Sequence, residues 1–146
     1  MKFSTCIDVE APAEETFAAF ADFPRYVRLA EARGARVEVL PAPHFAFRAR
    51  FDWNGAARDL KGEVTRLEAP LGFTAAMAAQ LVEGGLEVAV TPLGAARCRV
   101  AVAMEWRPVT LSGRLLLQSL RLVKGNLDER FAARVAEFAA GAERGT

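Results

Sequence analysis

The residues of this chain that can do chemistry are few, and Arg58 is the most pointed of them. Phe45, Phe47, Ala49, Phe51 and Trp53 stand at alternate positions just before an Asn54-Gly55 pair, and Arg58 follows it. A two-residue turn at that pair sets Trp53 opposite Ala56, Phe51 opposite Arg58 and Phe47 opposite Gly62. An arginine on such an aromatic face can orient a carboxylate, phenolate or carbonyl group, or stack on Trp53. The plainer alternative is an arginine whose stem covers apolar surface while its head reaches water at the sheet margin. Asp59 and Glu63 are acid/base candidates by type, but the same register turns them outward, opposite Arg50 and Ala46. His44 and Tyr26 are each the only residue of their type. By parity His44 falls on the charged face and reads as a surface histidine. The sequence has no Ser-His-Asp logic, phosphate-binding glycine loop or inward pair of carboxylates. Cys6 and Cys98 are too few for a disulfide framework, and one histidine leaves little to hold a transition metal. Neither a metal site nor a cofactor is expected.

These side chains are positioned by elements that the periodicity makes visible. Residues 2–10 alternate, with Phe3, Thr5, Ile7 and Val9 on one side, as in a half-buried strand. Pro12 suits a helix start, Glu14 and Glu15 suit its positive end, and Phe17 and Phe20 share one face. Asp22 can cap a second short helix over Phe23–Ala30, which the Gly34 region ends. From there to Arg107 the pattern is strand and turn, with turns expected at Asn54-Gly55, Pro70–Gly72, Glu83-Gly84-Gly85 and Pro92-Leu93-Gly94. Short connections of this kind argue for an antiparallel meander. After Pro108, with Ser112 or Thr110 as cap, Leu116, Leu120, Val123, Leu127, Phe131, Val135 and Phe138 recur every three or four residues. That stripe predicts a helix from Leu111 to Ala140, on the order of 45 Å long, with Gly125 as a candidate kink. It is expected to pack through Leu120, Val123, Leu127 and Phe131 onto the concave face of the sheet.

Composition narrows the function. The chain has 146 residues, 52% of them hydrophobic and 25% charged, which suits one globular domain over 1–146. A net charge of +1 gives no electrostatic case for a nucleic-acid partner. No apolar stretch is long enough to span a bilayer, and the polar start Met1-Lys2-Phe3-Ser4-Thr5 has no signal-peptide core, so a cytoplasmic protein is expected.

The run Ile7-Asp8-Val9-Glu10-Ala11-Pro12-Ala13-Glu14-Glu15-Thr16-Phe17, leading into Ala21-Asp22-Phe23-Pro24-Arg25-Tyr26, carries a resemblance that then spans the whole chain. Strand, two short helices, six further strands and a long C-terminal helix closely resemble the START-like superfamily of polyketide cyclases/dehydrases and lipid-transport proteins. Tyr26 stands where relatives carry a tyrosine after the second short helix; they often continue with Pro and Trp, whereas this chain has Val27-Arg28-Leu29. The resemblance implies an α+β helix-grip fold, a curved antiparallel sheet of about seven strands wrapped around the helix and enclosing an apolar cavity. Small residues at Ala49, Gly62, Ala75 and Ala79 are compatible with such a space. The expected walls are Phe47, Phe51, Trp53, Met77, Met104 and Trp106, with Arg58 as polar contact and Leu116 and Leu120 on the helix side.

Three readings follow. The leading one is a binding or carrier module for a hydrophobic small molecule: a lipid, an isoprenoid quinone or a polyketide-like aromatic. The second is a cyclase or dehydratase acting in the same cavity, which a buried polar cluster of Arg58 and Tyr26 would favour. In the third, the pocket is vestigial, and the alanine-rich outer face (Ala76, Ala78, Ala89, Ala101, Ala103) supports self-association as a homodimer.

Overall fold

The computed structural model describes residues 1–53 and 55–144. Seven strands form one antiparallel sheet: β1 (Lys2–Val9), β2 (Arg36–Leu40), β3 (Phe45–Trp53), β4 (Ala56–Glu68), β5 (Gly72–Ala79), β6 (Val82–Pro92) and β7 (Cys98–Pro108). Their spatial order is β1-β7-β6-β5-β4-β3-β2, so the meander from β2 to β7 is completed by β1 returning to its far edge. Arg99 bonds Asp8 at 2.7 Å and Arg97 bonds Glu10 at 2.7 Å, on the exposed side of that last pairing. Four helices accompany the sheet: α1 (Ala13–Phe20), α2 (Phe23–Ala32), α3 (Leu111–Arg121) and α4 (Lys124–Glu143). This is the helix-grip architecture expected from the sequence, with α4 as the long C-terminal helix.

Local sequence accounts for much of this. Pro12 precedes α1, and Glu14 and Glu15 occupy its first turn, where the helix dipole favours acids. The Asp22 carboxylate accepts the Arg25 N–H at 3.3 Å and caps α2, which runs two residues further than the spacing suggested. The β3–β4 pairing has the expected register throughout, from Phe45 opposite Val64 to Trp53 opposite Ala56. Asn54 lies outside the described residues; Gly55, with φ of 78°, adopts the left-handed conformation that its turn position requires.

Two expectations are corrected. Glu83-Gly84-Gly85 is no turn but part of β6; Gln80 and Leu81 make the connection instead. Gly84 is small for a packing reason, since a Cβ there would run into the Glu105 carbonyl and the Trp106 ring. The C-terminal helix is also not continuous from Leu111 to Ala140. It breaks at Leu122–Val123, where the two N–H groups donate to Ser119 at 3.2 Å and Leu120 at 3.1 Å in tightened turns. Gly125 is not the break; it lies in the first turn of α4 with open space around it. The halves serve different partners, α3 against β7 and α4 against β1 and α1. Val123, expected to pack inward, is 47% exposed at the corner. Burial on α4 comes later, through Val135, Phe138, Ala139 and Ala142.

Candidate functional site

One end of the space between sheet and helices is filled. Phe23 of α2 stacks on Phe45 at 5.1 Å between ring centres and meets Phe73 edge-on at 5.2 Å. Tyr26 and Phe20 lie 5.0 and 5.7 Å from Phe138, and the Arg25 guanidinium sits 4.4 Å over that same ring. The Tyr26 hydroxyl donates to the Phe20 carbonyl at 2.6 Å. Burial pushes its phenol well above the ordinary tyrosine range, with the Arg25 charge opposing and Asp22 reinforcing the shift. Tyr26 therefore belongs to α2 and to an aromatic plug, not to a polar cluster with Arg58.

The other end is hollow. A half-open cavity of about 400 Å³ lies between the Trp53 end of β3, the Trp106 end of β7 and helix α3. Its wall is overwhelmingly apolar. Phe51, Trp53, Leu60, Ala79, Val82 and Trp106 come from the sheet, Met1 and Phe3 from the edge, and Leu116, Leu117, Leu120 and Leu127 from the helices. Helix α3 can approach this closely because residue 113 is glycine: any Cβ there would collide with the Leu81 carbonyl. The Thr110 hydroxyl, accepting the Gly113 N–H at 3.0 Å, fixes the helix start at that contact.

Polar side chains on the lining belong to Arg58, Asp59 and Gln80. Register turns Asp59 to the opposite face, where its carboxylate stands 3.6 Å from Arg50. Arg58 shares the face of Phe51. Its Nε donates to the Trp53 carbonyl at 3.5 Å, and its guanidinium carbon lies 5.7 Å from the Trp53 ring centre. His44 is exposed at the start of β3, away from this lining.

Of the side chains expected at the site, the structure brings Phe51, Trp53, Arg58, Trp106, Leu116 and Leu120 to the cavity. Phe47, Met77 and Met104 share the inward face but lie between plug and cavity. The Phe47 ring covers Gly62 and the Trp106 ring covers Gly84, the two residues that flank Met77 in register. Met104 is occupied by Trp106, whose indole N–H points to its sulfur at 3.1 Å. Leu60, Leu117 and Leu127 were missed. Strand parity with Arg58 would have found Leu60, and the helical stripe already held Leu127.

No protein-family model matches the chain, and no curated protein matches it in sequence. Solved structures do match in three dimensions. The ZhuI aromatase/cyclase from a Streptomyces species is 16% identical with a TM-score of 0.72, over 99% of this chain and 94% of that one. Truncated norcoclaurine synthase from Thalictrum flavum is 13% identical with a TM-score of 0.66, over 95% and 90%. A START superfamily protein from Mycobacterium smegmatis is 14% identical with a TM-score of 0.58, over 88% and 95%. At such identities the likeness is one of fold, and the START-like resemblance read from the sequence holds at that level: the chain has the helix-grip fold that these proteins share.

Proposed function

We propose that this protein binds a compact, amphipathic small molecule, its apolar body held between Trp53, Trp106 and the α3 leucines and its acidic, phenolic or carbonyl group at Arg58. The observation that carries this reading is a half-open apolar cavity to which the Arg58 guanidinium is presented. A volume of about 400 Å³ is near the lower end of ligand pockets, roughly 300–1,000 Å³. That size favours a small aromatic or a short chain over a two-chain lipid. Separation of Tyr26 from Arg58 supports binding over the cyclase reading, which a buried polar cluster of the two would have favoured.

Both tryptophans of the chain line the cavity, so intrinsic fluorescence reports on its contents. Titration with naphthoic acids and their neutral methyl esters is expected to quench emission saturably, with the acids binding more tightly. Native mass spectrometry of protein purified from its own host is expected to show a small-molecule adduct. Absence of quenching across the series, with no adduct retained, would overturn the reading.

A further inference from the structure

Helix α3 is apolar on two sides, and the cavity uses only one of them. Leu116, Leu117 and Leu120 face inward, whereas Leu111, Leu115 and Leu122 are 72%, 56% and 89% exposed. At 3.6 residues per turn those three fall within about 40° of one another, a single outward stripe. Val109 before the helix and Val123 after it are exposed as well. Isolated exposed leucines are ordinary, but a contiguous row on one helix marks a contact surface.

Charge identifies the surface that suits it. From Arg107 to Leu127 the sequence contains no Asp or Glu, while Arg114 and Arg121 lie seven residues apart along one flank of the stripe. Among the described residues neither arginine pairs with a carboxylate. A two-fold contact between copies would bring these arginines together with no acid in the patch to answer them. Among the described residues no helix is long and apolar enough to cross a membrane. Leucines on one face, flanked by unpaired arginines, are instead what an in-plane interfacial helix presents to anionic headgroups.

We propose that α3 docks this protein on anionic lipid surfaces, with Leu111, Leu115 and Leu122 entering the headgroup region and Arg114 and Arg121 contacting lipid phosphates. The docking face is opposite the cavity wall and does not depend on what the cavity holds. Sedimentation of the full chain with phosphatidylcholine vesicles, with or without about a third phosphatidylglycerol, tests it. The chain is expected to pellet with the anionic vesicles, to remain in solution with pure phosphatidylcholine, and to be released by salt. Each arginine near the surface is worth about fivefold, so Arg114→Gln with Arg121→Gln is expected to weaken partitioning by tenfold or more. Leu115→Ser with Leu122→Ser, at exposed positions and checked for an unchanged melting curve, is expected to abolish it. Failure to pellet with anionic vesicles, or wild-type partitioning by both double variants, would overturn the proposal. So would a dimer that the serine variant dissociates in a protein that ignores vesicles, an outcome assigning the face to a second copy. Cavity titrations read by tryptophan emission are expected to be the same in all variants, which keeps the two sites separable.

Discussion

Arg58 is the residue at which ligand classes can be told apart. Its guanidinium lies against Trp53 and, among the described residues, spends one N–H on the Trp53 carbonyl, leaving the remaining donors for an incoming group. A charge-assisted bond in partly desolvated surroundings is worth about 1.5–3 kcal/mol. Arg58→Met is therefore expected to weaken acidic or phenolic ligands by tenfold or more and to leave neutral analogues of the same shape nearly unchanged, as read by tryptophan quenching. An equal loss for both classes would reduce Arg58 to packing. The side on which Arg58 lies was legible in the sequence, because a two-residue turn fixes parity along both strands. Depth was not. Phe47, Met77 and Met104 have the right parity, yet none lines the cavity: the Phe47 ring lies down on Gly62, the Trp106 ring on Gly84 across Met77, and the Trp106 indole holds Met104. Parity names a face and says nothing of which neighbour lies down on a glycine.

At the scale of elements, α3 is the part that makes the cavity, and a glycine decides where α3 sits. A side chain at residue 113 has no room against the Leu81 carbonyl, whereas one at residue 125 meets open space. Gly113→Ala is expected to push α3 outward and cost about 1–3 kcal/mol, the usual range for overpacking, with weaker ligand binding. Gly125→Ala, in the exposed first turn of α4, is expected to stabilise by about 0.5 kcal/mol through reduced freedom of the unfolded chain. Urea unfolding of the two variants measures both, and equal effects would contradict the close approach of α3. The sequence showed the apolar stripe of this region but not its break. Spacing by three and four continues through Leu122 and Val123 because each half keeps an apolar face, α3 toward the cavity and α4 toward β1 and α1. Periodicity cannot register that these faces address different partners.

Across the whole molecule, the interior is solid at one end and hollow at the other, and the division runs along every long element. β3 starts in the plug at Phe45 and ends in the cavity at Trp53; α4 starts beside the cavity at Leu127 and ends in the plug at Phe138. The architecture was legible from the order of elements. Which end would be filled was not, since Phe23, Phe45, Phe73 and Phe138 meet only once four separate elements have assembled. Tyr26, the chain's only tyrosine, lies in that plug and reports on it. Its phenol is held in the neutral form by burial, so its folded pKa lies above the ordinary value of about 10. A raised pKa means that the unfolded chain loses this proton first. The stabilising contribution is complete below about pH 10 and is lost as pH rises toward the folded value. Phenolate absorbance is therefore expected to appear only in strong alkali and together with the loss of circular dichroism, because the plug must open before the proton leaves. Cavity ligands are expected to leave that transition's ionisation step in place while raising its midpoint through mass action. A smooth titration near pH 10 in a protein with its dichroism intact would show the plug to be open to water, and the solid end to be no more closed than the hollow one.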